Sequence, residues 1–283
     1  MKRGFTLLAI VTALLLSFAL YAALVIAPTE QTMGNVQRIF YYHVPSAWVA
    51  FELFFLNFVA SVQFLVRRTG SGVRVANAIA IAGGLAVAIA SFFVRLPSGI
   101  EPSSVATTGI VLAAIYLIVG RYFSRNGLDI FALVTAEVGV VFCTVVLITG
   151  PIWARPVWGI WWTWDLRLTL TLVLWLIYVS YLVLRRFSTS SQTPLLAAVL
   201  AVFGALDVPL VYFSIWFFRT QHPSPVIGGG GSLDPRMGWV LLYNWIAFMA
   251  LAWLVCWTRY RLEIAQRQVH EAEAMQSLME GAR

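Results

Sequence analysis

Charge is what this 283-residue chain has least of: 11% of its residues are Asp, Glu, Lys or Arg, against 60% hydrophobic ones. A soluble domain of this size cannot bury so much apolar surface, and the mean hydropathy of +0.84 points to a polytopic membrane protein. Cysteine is scarce as well. Cys143 and Cys256 are the only two, each inside an apolar run, and without a Cys-x-x-Cys pair a dithiol redox centre or a cysteine-based zinc site is not expected. A phosphate-binding loop of the Walker type is also missing, so any ATP-driven step belongs to another subunit.

What is present is a series of apolar runs, each near the roughly 20 residues that a bilayer crossing requires. They fall at 5–27, 44–66, 75–94, 105–122, 129–151, 168–184, 195–218 and 238–258. None has the alternation of an outer-membrane strand, so the sequence predicts an all-α polytopic bundle of about eight transmembrane helices. The first run follows Met1-Lys2-Arg3 and is longer than the 7–15 residues of a signal-peptide core. A retained helix is expected there, despite a Val25-Ile26-Ala27 sequence of the kind that precedes a cleavage site.

The net charge of +7 does not imply a nucleic-acid partner, because the basic residues sit in loops and set orientation. With both termini cytoplasmic, the inner loops and tails hold thirteen of the 19 Lys and Arg residues and the outer loops six. In that orientation three segments share the outer face. They are Arg38-Ile-Phe-Tyr-Tyr-His43-Val-Pro45-Ser-Ala-Trp48, a tryptophan-rich run, and Arg219-Thr-Gln-His222-Pro223.

The tryptophan run is the densest signal. Five of the chain's 12 tryptophans lie between positions 153 and 164, far more than interface anchoring needs. Trp158, Trp161, Trp162 and Asp165 follow i, i+3, i+4, i+7 spacing, so one short surface helix would put them on one face. Such a face, with Trp164 nearby and charge at its edge, suits a large flat ligand such as porphyrin. Arg167 would pair with a propionate, and Asp165 would either cap the sixth span or hold the indoles and Arg167. The competing reading is a generous aromatic belt.

His43 and His222 are the only histidines outside the basic tail. Imidazole is the common protein ligand of haem iron, and two of them would saturate it, which suits holding haem rather than activating oxygen. Pro45, in the first helical turn, would hold His43 just above the start of the second span, and Pro223 would keep His222 out of a helix. No Cys-x-x-Cys-His occurs, so the chain carries no covalently attached haem of its own.

Three acids lie within predicted spans: Glu52, Glu137 and Asp207. The last two are placed away from the proposed haem mouth, and all are expected to be protonated or paired between helices. The segment Gly228 to Pro235 reads as an adaptable connector. Residues 259–283 read as a cytoplasmic helical tail following a single transmembrane haem-handling domain, 1–258.

These residues resemble a known family. Trp158-Gly-Ile-Trp161-Trp162-Thr-Trp164-Asp165 is similar to the WWD signature of haem-handling proteins in cytochrome c maturation. Leu166-Arg167-Leu168-Thr169, His43-Val44-Pro45-Ser46-Ala47-Trp48, and Thr220-Gln221-His222 followed by Leu233-Asp234-Pro235 resemble its cytochrome c maturation protein C (CcmC) branch. The resemblance covers residues 20–67 and 129–258. It implies a bacterial inner-membrane protein that presents haem b, as cargo, on the periplasmic side between axial ligands His43 and His222. It also implies contact of the haem with the run from Trp158 to Asp165. The partners implied are the periplasmic haem chaperone CcmE, the subunits CcmA, CcmB and CcmD, and membrane lipid. Members usually have six spans, so residues 70–126 stand as an extra two-helix insertion.

The expected role is haem presentation without an enzymatic step, since the haem itself carries the chemistry. The rivals are a cytochrome c haem ligase of the synthetase branch, a b-type electron carrier and a ligand-free scaffold. The ligase would need more outer-loop histidines and a large soluble domain, and the carrier would need histidine pairs within spans.

Overall fold

The computed structural model describes residues 2–68, 72–93, 101–218, 222 and 233–281. Its regular elements are helices: α1 (Lys2–Tyr21), α2 (Phe40–Arg68), α3 (Val73–Ala90), α4 (Pro102–Tyr122), α5 (Arg125–Trp158), α6 (Leu166–Phe187), α7 (Thr193–Ala205), α8 (Asp207–Phe217) and α9 (Pro235–Gly281). Among the described residues eight stretches are long and apolar enough to cross a bilayer. The protein is therefore an all-α polytopic membrane protein, as the apolar runs predict.

Capping side chains set several helix starts. Ser124 accepts the Gly127 N–H at 3.1 Å at the head of α5, relieving one of the amides that a first turn leaves unpaired. Asp234 precedes Pro235 and accepts the Arg236 N–H at 2.8 Å, so an N-terminal acid and a first-turn proline together begin α9. The Arg236 side chain also holds the Asp234 carboxyl below its ordinary range. Between α1 and α2 the chain turns through a π-helical stretch, Ala22–Ile26, and a 3-10 turn, Asn35–Ile39. There Arg38 donates to the Ala23 carbonyl at 2.7 Å.

Two predicted elements differ from expectation. The seventh span is broken at Leu206 into α7 and α8, because Pro209 has no N–H for the Ala205 carbonyl and disfavours helical geometry just before it. The eighth span and the tail are one helix instead of two separate elements: α9 runs unbroken for 47 residues, about 70 Å at 1.5 Å per residue. The tail beyond 258 is therefore a direct extension of the last span, well past the ~30 Å of hydrocarbon.

α2 and α5 form the centre of the bundle, with α6, α7 and α9 packed around them and α1 along α9. Phe54 of α2 stacks on Tyr178 of α6 at 3.8 Å between ring centroids. Gly139 of α5 admits that ring: a Cβ there would meet Phe54 Cε1 at 2.7 Å. Gly139→Val is expected to destabilise by about 1–3 kcal/mol through overpacking, read as a lower thermal midpoint in detergent. An unchanged midpoint would mean the α2–α5 contact is slack. α3 and α4, the stretch 70–126 without its undescribed residues, pack chiefly on each other and rest on α2.

One end of the bundle is closed by ion pairs. Asp129 of α5, 5% exposed, takes both guanidinium nitrogens of Arg185 at 2.6 and 2.9 Å and Arg267 at 2.8 Å. Glu263 bridges to Arg267 at 3.0 Å, and Arg259 holds Glu137 at 2.8 Å. Glu137 is thus paired, as expected for an acid among helices, whereas Asp129 gave no sign in the sequence of being the hub.

Candidate functional site

The other ends of α2, α5 and α6 enclose a cavity lined by His43, Trp158, Trp162, Arg167, His222 and Thr171, among others. The two histidines, 179 positions apart in the sequence (222 minus 43), face one space. Cys143 and Val211 line its deeper part. The cavity measures about 80 Å³, less than the roughly 300–1,000 Å³ of small-molecule sites, so a large flat ligand would have to part the side chains at its mouth.

His43 does not stand above the second span. Its helix begins at Phe40 and is led in by the 3-10 turn, so His43 is in the first turn of α2 and Pro45 is in the second. Its ring Nδ1 lies 2.9 Å from Thr149 Oγ1 of α5. The Thr149 hydroxyl proton is used on the Val145 carbonyl at 2.7 Å, so the oxygen accepts from His43 Nδ1–H. That leaves Nε2 unprotonated, with a lone pair available to a metal. No sequence signal marks Thr149; it is one hydroxyl among many until the tertiary fold aligns α5 with α2.

The tryptophan run is not one surface helix. α5 extends to Trp158 and stops at Gly159, whose φ of +78° reverses the chain, as a left-handed C-cap does. The stretch from Gly159 to Asp165 then runs without helical turns. Asp165 caps α6 through the Leu168 N–H at 3.0 Å and accepts from the Thr163 hydroxyl at 3.2 Å. The expected shared face is consequently split. Trp158 and Trp162 line the cavity, whereas Trp161 and Trp164 are 59% and 75% exposed. Trp164 keeps edge contact with Trp162 at 5.8 Å between ring centroids, and Trp153, not singled out by sequence, packs on Trp158 at 5.2 Å and joins the lining.

Two buried donors in this lining have no hydrogen-bond partner among the described residues: Trp162 Nε1 and Arg167 Nη1. An orphaned buried donor costs about 1–3 kcal/mol, more for a charged group, so both are suited to an acceptor arriving with a ligand. The acids in the spans stand elsewhere. Glu52 accepts from Trp245 Nε1 at 3.1 Å. Asp207 heads α8 with its Oδ2 buried and unpartnered among the described residues. Neither lines the cavity. Pro223 and most of the Gly228 to Pro235 connector lie outside the described residues, so the roles expected of them have no structural counterpart here.

Among the described residues no three His, Cys, Asp or Glu side chains gather as a metal-binding set. Two imidazoles alone do not make a closed site for a bare ion. They would suit an iron already held by a macrocycle, and the aromatic walls and the orphaned guanidinium have the chemistry to receive its ring and an acidic substituent.

A sequence model of the heme exporter protein C family, CcmC, matches residues 1–95 and 92–275. The chain belongs to this family. Heme exporter protein C of Bradyrhizobium diazoefficiens is 29% identical over 273 residues, covering 95% of this chain and 82% of that protein. Heme exporter protein C of Escherichia coli K12 is 29% identical over 153 residues, 53% of this chain and 62% of its own length. A Marchantia polymorpha protein described as ccmC-like, mitochondrial and of cytochrome c biosynthesis is 24% identical over 79% of this chain and 72% of its own length. The two ranges matched to the CcmC family overlap at 92–95, within the stretch 70–126 expected from the sequence to be an insertion.

Family membership makes Thr149→Val the informative change at His43. The shape is kept while the acceptor for Nδ1–H is lost. Bound haem is expected to be about 10–100-fold weaker, the usual cost of losing an outer-shell partner. Titration of the purified protein with haem measures it, and unaltered affinity would mean the imidazole is oriented by something else.

Proposed function

We propose that this protein holds haem at the extracytoplasmic face of the bacterial inner membrane and delivers it in cytochrome c maturation. The carrying observation is that His43, His222, Trp162 and Arg167 line one cavity, with His43 Nε2 left available to iron and two donors without partners. In this reading the iron lies between the two imidazoles and Trp158 and Trp162 face the ring. The indole N–H and the Arg167 guanidinium engage the propionate edge. Trp161 and Trp164, exposed at the rim, would contact the ligand's outer edge or a docking partner. The recipient is the periplasmic haem chaperone CcmE, and CcmA, CcmB and CcmD are the companion subunits. Family membership supports a place for these partners in the reading, and the lack of a nucleotide-binding loop in the sequence supports a separate subunit for any ATP-driven step.

The excess of basic residues in alternate loops supports an orientation with both termini cytoplasmic and the histidines outside. The protein's part is ligation and orientation, without an enzymatic step of its own, and haem b is the cargo. Transfer would require the axial bonds to loosen, on reduction or on chaperone docking. The test is an absorption spectrum of the protein purified in detergent from haem-replete cells. A low-spin, six-coordinate bis-imidazole spectrum is expected; protein that remains colourless when haem is supplied would sink the proposal.

A further inference from the structure

At the end of the bundle opposite the histidines a second cavity, of about 190 Å³, opens between the last turn of α2, the first turns of α5 and α7, and α9. Three arginines and one carboxylate line it: Arg68, Arg125, Arg267 and Asp129. Asp129 is already engaged at both oxygens, accepting three hydrogen bonds from Arg185 and Arg267. The neighbouring ion pairs balance, with Arg185, Arg259 and Arg267 matched to Asp129, Glu137 and Glu263. Arg68 and Arg125 are left over. All 12 acidic residues of the chain are described, and none forms an ion pair with either arginine.

The contacts these two arginines do make are with neutral groups. Arg68 donates to the Gln192 side-chain carbonyl at 3.0 Å, and the Arg125 guanidinium lies 5.3 Å from the centre of the Phe64 ring. Asn126 and Ser191 add side-chain donors to the lining. The first turns of α5 and α7 carry no acidic residue, so the partial positive charge of both helix ends adds to that of the arginines. From the cavity an apolar stripe runs along α7: Leu196, Val199 and Phe203 are 50%, 52% and 62% exposed, at the spacing of one helix face. That stripe alone would be ordinary lipid-facing surface. Starting at a two-charge cavity of phosphate size, it supplies a place for tails beside a place for a head.

We propose that this cavity binds the phosphate of an anionic glycerophospholipid, with its acyl chains lying along α7. Basic pockets between helix ends on the cytoplasmic side are suited to such headgroups. A bound phosphate would join α2, α5 and α7 at the end of the bundle where ion pairs already tie α5, α6 and α9. The assignment is independent of the haem site.

The full-length protein is delipidated and reconstituted in phosphatidylcholine nanodiscs with or without phosphatidylglycerol. Its thermal midpoint is followed, and retained lipid is counted by native mass spectrometry. Phosphatidylglycerol is expected to raise the midpoint by about 5 °C and to remain as one molecule per chain. Arg68→Gln/Arg125→Gln is expected to lose both effects. Arg121→Gln/Arg186→Gln, with the same loss of charge at the same end but outside the cavity, is expected to retain both. If the first pair does not fold, Arg125→Gln alone removes one exposed side chain and is expected to lose most of the shift. Inorganic phosphate in phosphatidylcholine discs separates the sources. If it reproduces the whole shift and phosphatidylglycerol adds nothing, the occupant is a soluble phosphate and the lipid assignment falls. Equal shifts in the wild type and the cavity variants overturn the site altogether.

Discussion

Replacing His43 by alanine is expected to convert bound haem from six-coordinate low spin to five-coordinate high spin, with a loss of affinity larger than that of Thr149→Val. The geometry dictates the order. In the proposed arrangement Thr149 would act on the iron only through the imidazole it holds at 2.9 Å, so its removal would cost roughly 10–100-fold, whereas His43→Ala would remove the bond itself. His222→Ala is expected to give the same spectral change from the other side of the ring, because both side chains face one cavity. Added imidazole should diffuse into the space left by either ring and restore the low-spin spectrum without repairing the protein. A His43→Ala protein whose spectrum and affinity match the wild type would place the iron on some other ligand. Arg167→Gln should act differently, weakening binding without altering spin state, since its orphaned nitrogen is assigned to the edge of the ligand and not to the metal.

Asp129→Ala is the second large effect, and it concerns stability. The change leaves Arg185, whose side chain is 8% exposed, and one nitrogen of Arg267 without their counter-charge. Removing one member of a buried pair typically costs about 3–5 kcal/mol, because the remaining charge is desolvated and uncompensated. The thermal midpoint in detergent is expected to fall sharply, with the haem spectrum of the surviving folded fraction unchanged, since the network lies at the opposite end of the same helices. Asp129→Leu with Arg185→Leu is expected to cost less than Asp129→Ala, because no buried charge is stranded and Arg267, 34% exposed, keeps Glu263. Should the double variant be the less stable, packing and not charge would be the network's contribution.

The spans were legible because lipid leaves the chain few options: unbroken apolar runs must become helices so that every backbone polar group is paired within its own segment. The caps were partly legible too. Asp165 before Leu166 reads as an N-cap or as a partner for the indoles, and the 3.0 Å bond to the Leu168 N–H selects the cap. Helical spacing misled at Trp158 to Asp165, because periodicity carries no information about Gly159, which ends α5 in a left-handed conformation and directs Trp161 away from Trp162. Hydropathy starts the second span at 44 and sets His43 just above it, whereas the helix begins at Phe40, led in by the 3-10 turn at Asn35–Ile39.

By itself, the sequence determined the class of the protein and the eight stretches long and apolar enough to cross a bilayer, and it singled out residues that the fold brings to one cavity. These depend on hydropathy, on charge asymmetry and on rare side chains, all of which are local properties. Only the tertiary structure decided that His43 leans on Thr149, that Trp162 and Arg167, each with an unsatisfied donor, line the cavity, and that Asp129 gathers two arginines. Each of these joins positions from 56 to 138 residues apart or depends on the packing of separate helices. A hydroxyl or carboxylate in the chain has the same composition whether or not a partner helix lies within 3 Å, and that proximity is set by how the helices pack.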